Sequence, residues 1–130
     1  MSIVAQLSAL ATRIGTEIKG LIRPDHPGLA RAWVNFGYVS GAIQIRAAYN
    51  VVSVTRLEAG RYRVTFMTPF ADTGFCWLAT VRSPSDKKTI RFASARDTRE
   101  AKTTTTLDLV CISSSDSLAD TAEFNLVVYR

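Results

Sequence analysis

The sequence predicts a mainly β protein: an antiparallel β-sandwich of jelly-roll-like form, preceded by one N-terminal amphipathic α-helix. Three observations carry this expectation. Apolar residues recur at helical spacing from Ile3 to Leu21, and from Ala32 onward the period changes to two. Between the two regimes lies Arg23-Pro24-Asp25-His26-Pro27-Gly28, whose two prolines and glycine end the helix and make a stiff connection. The expected organisation is therefore a helix over 1–23, a connector over 24–31 and a sandwich over 32–130.

The helix comes first. Ile3, Leu7, Leu10, Ile14, Ile18 and Leu21 keep to one face, with Ser2 placed as N-cap. Their period is about 3.6, which implies little supercoiling. Gly15 and Gly20 each weaken the helix by about 1 kcal/mol relative to alanine. Such a helix is marginal alone in water and must pack on something. Self-association of three stripes about an axis is the expectation, with the six apolar residues as the oligomer interface; folding back onto the sandwich is the alternative.

Eight strands are expected next: Ala32–Phe36, Ala42–Ala47, Val51–Leu57, Arg61–Thr68, Phe75–Arg82, Thr89–Ala93, Thr105–Ser113 and Ala122–Tyr129. Tyr62, Val64 and Phe66 alternate with Arg61, Arg63 and Thr65, and Phe124, Leu126 and Val128 share a face. Glu58-Ala59-Gly60 reads as a short hairpin turn. Short strands at this spacing, without helical pattern between them, indicate a sandwich. The Thr-, Arg- and Lys-rich stretch from Arg96 to Thr106 reads as a surface loop, and Ser113 to Asp120 as another.

Composition narrows the function classes. A chain of 130 residues, 47% hydrophobic and 21% charged, can bury one core without metals or disulfides. No apolar run approaches the length of a membrane span. Met1 to Leu10 is mostly apolar, but its basic residues, Arg13 and Lys19, come after that run, so no secretory signal is expected. The net charge of +5 is spread along the chain with no dense basic run. That argues against a nucleic-acid partner and leaves a weak attraction to anionic surfaces such as bacterial lipopolysaccharide.

Catalytic constellations are absent from the sequence. His26, the one histidine, sits between Asp25 and Pro27 with no positioned partner for general-base work. Asp72, Asp86, Asp97, Asp108, Asp116 and Asp120 lie in loops or on polar strand faces, and two could meet as a glycosidase-like pair. No phosphate loop, nucleophile elbow or metal-ligand spacing occurs, so no cofactor, metal or catalytic residue is expected. Ser113-Ser114-Ser115 reads as loop. Cys76 and Cys111 lie in apolar strand runs and are expected as buried, reduced thiols. Trp33, Tyr38, Tyr49 and Trp77 are the candidate ligand or interface aromatics, with Trp33 and Trp77 expected in the core or an interface.

Several stretches resemble small domains of tailed-bacteriophage fibre and other virion structural proteins. They are Ala30-Arg31-Ala32-Trp33-Val34-Asn35-Phe36, Ile43-Gln44-Ile45-Arg46-Ala47-Ala48-Tyr49-Asn50-Val51, Gly60-Arg61-Tyr62-Arg63-Val64-Thr65-Phe66 and Pro69-Phe70-Ala71-Asp72. Leu7-Ser8-Ala9-Leu10-Ala11-Thr12-Arg13-Ile14 is similar to the alanine-rich helices of phage tail and fibre proteins. The resemblance covers Ala30 to about Trp77. It implies a non-enzymatic virion component made in the host cytoplasm, such as a tail fibre, head fibre, spike or decoration protein. Its partners would be itself, as a homotrimer, other virion proteins, and a host cell-surface glycan or lipopolysaccharide, without membrane insertion.

A second class stands beside this one, a stand-alone carbohydrate-binding or hydrolytic β-domain. The helix separates the two, because a monomeric lectin or enzyme has no evident need of an outboard apolar stripe before a proline hinge.

Overall fold

The computed structural model describes residues 2–84 and 89–130. A helix, α1 (Ile3–Leu21), precedes eight strands: β1 (Ala30–Val39), β2 (Ala42–Tyr49), β3 (Val51–Glu58), β4 (Arg61–Phe66), β5 (Cys76–Val81), β6 (Arg91–Ser94), β7 (Thr106–Ser113) and β8 (Phe124–Tyr129). The strands form two four-stranded sheets, ordered β2-β1-β8-β5 and β3-β4-β7-β6. Every pairing is antiparallel. The protein is a β-sandwich with one N-terminal helix.

Alternation decides which side chains meet between the sheets. Ala32, Val34 and Phe36 of β1 and Phe124, Leu126 and Val128 of β8 face Tyr62, Val64 and Phe66 of β4 and Leu107, Leu109 and Cys111 of β7, all buried. Aromatic rings set the two ends of this core. Phe36 stacks on Phe124 at 5.0 Å, with Tyr62 edge-on to both. Phe66, Phe70 and Phe75 form a second cluster, with centroids 4.6–5.7 Å apart. Burying such rings supplies much of the drive for closing the two sheets.

Turn chemistry matches the hand of the strands. Ser40 and Gly41 both have positive φ in the two-residue β1–β2 turn, as Gly60 does between β3 and β4. At Gly60 a Cβ would lie 2.6 Å from Ala119 N and 2.8 Å from Cys111 O. Only glycine fits there. Gly37 is equally confined, because a Cβ would lie 1.9 Å from Ala122 O.

The helix is capped as its sequence suggests: Ala5 N–H donates to Ser2 Oγ at 3.2 Å, and Ile22 N–H returns to Ile18 O. No residue of α1 is buried. The connector is not slack. His26 N–H donates to Arg23 O, Leu29 N–H donates to His26 O, and Gly28 N–H donates to His26 Nδ1.

Several expectations change, among them strand ends that move by one or two residues, as where β6 starts at Arg91 rather than Thr89 and β8 at Phe124 rather than Ala122. Cys76 is exposed rather than buried, because it starts β5 in the phase opposite the inward-facing Trp77. Cys111 is buried. The connector gives way to β1 at Ala30, two residues early, and β1 runs on to Val39. The Arg96–Thr106 stretch does not simply lie on the surface. It folds back beside β7, with Asp108 N–H donating to Ala101 O and Lys102 bridged to Leu107, and it buries Glu100. Asp86 lies outside the described residues.

Candidate functional site

Two surfaces and one groove are the candidates. The first surface is the stripe of α1. Ile3, Leu7, Leu10, Ile14, Ile18 and Leu21 are 47–73% exposed, so the chain leaves the expected oligomer interface wholly open. Arg13 and Glu17 pair one turn apart at 2.9 Å outside the stripe.

The second surface is the outer face of the β2-β1-β8-β5 sheet. Trp33 stands opposite Tyr49 on β2 and Val127 on β8, and Val127 stands opposite Leu78 on β5. Opposed residues in antiparallel strands project to the same side. Tyr49, Trp33, Val127 and Leu78 thus form one apolar row across all four strands. Tyr49 is 56% exposed, Trp33 38% and Leu78 68%. The next row is Ala47, Asn35, Asn125 and Thr80, in which Asn35 Nδ2 donates to Asn125 Oδ1. Charged side chains border this second row: Arg46 Nη1 donates to Asn35 Oδ1, and Glu123 Oε1 accepts from Asn35 Nδ2 and Asn125 Nδ2.

The opposite outer face, on β3-β4-β7, is a lattice of ion pairs. Arg63 grips Asp108 through Nε and Nη2, both at 2.7 Å, and the Asp108 side chain is 2% exposed. Glu100 accepts from Arg96 N, Nε and Nη2 and from Arg61 Nε. The Arg96 guanidinium first, aided by the Arg96 N–H and by Arg61, outweighs burial and holds the Glu100 carboxyl down at about 2.

The groove, about 430 Å³, lies between Trp77 and this lattice, lined also by Asp97, Glu100, Lys102 and Leu107. Lys102 Nζ donates to Phe75 O at 2.7 Å and sits 4.6 Å from the Phe75 ring centroid. An aromatic wall with polar neighbours suits a sugar ring sterically.

At one end of the sandwich Asp120 accepts from Arg56, from Gly60 N–H and from the Tyr62 hydroxyl, whose oxygen in turn accepts from Thr121 N–H. Burial raises the Asp120 carboxyl, but these donors overcome it and leave it at about 2. Burial, with Asp120 beside it, raises the Tyr62 phenol well above its ordinary value. The cluster is a structural clasp, closed on its own members.

The four aromatics expected as ligand or interface residues do not converge. Trp33 and Tyr49 share the outer row. Tyr38 turns inward under Arg56, whose guanidinium lies 4.4 Å from its ring centroid. Trp77 packs against the core edge and lines the groove. Sequence reasoning does not place Leu78, Val127 and Cys76 on the outer face. The signal for it is apolar residues at both phases of β5 and β8, the mark of a strand covered on two sides. His26 engages only the connector.

Among the described residues no helix is long and apolar enough to cross a membrane, and no cluster of three potential metal ligands occurs. Comparison with protein-family models, curated proteins and solved structures returns no match to this chain.

Proposed function

We propose that the chain is a non-enzymatic bacteriophage virion structural protein, a homotrimeric fibre, spike or decoration component that is exposed on the particle and contacts the host surface. One observation carries this reading: α1 presents six large apolar side chains to solvent while its own sandwich closes without them. Burying six such side chains contributes up to about 9–18 kcal/mol, comparable with the cost of ordering the helix, and that gain has no use in a solitary domain. The sandwich then forms the displayed module, and the groove beside Trp77 is an aromatic-walled recess suited to a surface glycan.

A stand-alone hydrolytic domain is less well supported. A glycosidase needs one carboxyl kept protonated near neutral pH. Glu100, the buried carboxyl beside Trp77, is held ionised by two arginines instead. Immunogold electron microscopy of phage particles, with antibody raised to the sandwich, tests the proposal. Regular labelling at one particle location is expected. Unlabelled particles, with the antigen remaining in the soluble lysate, contradict it.

A further inference from the structure

A second groove, about 460 Å³, opens at the corner where β2 passes into β3, with Arg31, Tyr49, Asn50, Val51, Met67 and Thr68 in its lining. Its size falls within the range of small-molecule sites, about 300–1,000 Å³. Asn50 builds it. The backbone there is left-handed, φ +53, a conformation that asparagine tolerates better than most residues. Asn50 Nδ2 donates to Arg31 O at 3.1 Å and to Thr68 O at 3.3 Å, and Oδ1 accepts from Thr68 N–H at 2.7 Å. The Asn50 carbonyl accepts from Met67 N–H. One residue thus ties the start of β1 to the segment after β4 and holds the groove in shape before a ligand arrives.

Arg31 is the charged side chain of this lining, and it is partly buried. Elsewhere Arg56, Arg61, Arg63 and Arg96 each grip a carboxylate. Among the described residues the Arg31 guanidinium has no acceptor, and no acid lines the groove. Drawing a cation partly out of water without a partner costs free energy that an incoming anion offsets. Tyr49, 56% exposed, lines the same groove.

The chemistry selects the ligand. A planar guanidinium matches a carboxylate through two parallel N–H donors. One cation balances one negative charge, whereas a nucleic-acid strand calls for a row of them. An aromatic ring beside an apolar floor, here Val51 and Met67, suits the C–H face of a pyranose. We propose that this groove binds an acidic sugar, with Arg31 on its carboxylate and Tyr49 against its ring. The proposal rests on the host-contact reading above for the presence of a glycan, and it names the class of sugar.

The test is titration of the full chain with glucuronate, galacturonate, N-acetylneuraminate and glucose, followed by amide chemical shifts. Shifts should centre on Arg31, Tyr49 and Asn50, with at least one acid binding about tenfold tighter than glucose. Arg31→Gln should level that acid with glucose, and Arg31→Lys, which keeps the charge and loses the fork, should fall between. Tyr49→Ala should weaken acid and neutral sugar alike. No binding by any of the three acids, equal binding of glucose, or undiminished binding by Arg31→Gln overturns the site. Inorganic phosphate or a nucleoside monophosphate that outcompetes every acidic sugar also overturns it. The virion reading fails separately: a chain that binds the acid yet is absent from particles keeps the groove and loses host contact.

Discussion

The Tyr62 hydroxyl donates a 2.8 Å hydrogen bond to Asp120 Oδ1, tying the start of β4 to the segment that leads into β8. The same carboxylate takes Gly60 N–H from the β3–β4 turn and the Arg56 guanidinium from β3. One side chain therefore fastens the turn of one sheet to the entry of a strand in the other. Asp120→Asn, which leaves these donors with a weaker acceptor, should destabilise the chain by about 2–3 kcal/mol, and Tyr62→Phe by about 1–2. Urea denaturation checks both. Unchanged midpoints for both variants would mean that the clasp is ornamental.

Acid should open the molecule through two carboxyls. Asp120 and Glu100 are both lowered to about 2 in the fold. A depressed carboxyl stabilises the native state above its ordinary value and loses that contribution as pH falls through the folded value. Stability should therefore be flat from about pH 5 upward through neutrality and fall steadily between about pH 4.5 and 2. Buried Cys111, raised to about 11, acts in the other direction. Its contribution holds below the ordinary thiol value and fades as pH climbs towards 11. Denaturation midpoints across pH 2–11 test both limbs.

Gly60→Ala should be costly for two reasons that act together. The backbone there has φ +69, and a Cβ would meet Ala119 N and Cys111 O. A loss of about 2–3 kcal/mol in thermal or urea stability is expected. Gly41→Ala, at φ +80 but in open space, should lose only about 1 kcal/mol.

The two cysteines should remain thiols. Cys76 projects outward from one sheet and Cys111 lies in the core side of the other, so their Cβ vectors cannot bridge without backbone movement. Alkylation under denaturing, non-reducing conditions should add two labels per chain. A mass lower by two hydrogens with no label would refute this.

The sandwich is largely legible in the sequence because period two needs only neighbouring residues. Tyr62, Val64 and Phe66 share one face of their strand and Phe124, Leu126 and Val128 one face of theirs, and all six are buried. The features that stay hidden depend on contacts distant in sequence. Glu100 looks like an ordinary loop carboxylate until Arg61, 39 residues away, closes on it. Cys76 misleads because apolar neighbours say that a strand is covered without saying on which side. The outer row from Tyr49 to Leu78 needs the register of four strands, which no single segment carries. The helix stripe is legible in full, since six residues at helical spacing define it locally.

On the proposed reading, α1 joins copies of this chain. Size-exclusion chromatography with light scattering on the full chain and on Leu10→Glu measures it directly. Leu10 lies in mid-stripe and touches no part of the core, so the variant leaves the sandwich intact. Three times the 14.3 kDa chain mass is expected for the unsubstituted protein and a single chain for Leu10→Glu. A single-chain mass for both, or an assembly indifferent to Leu10→Glu, would contradict it.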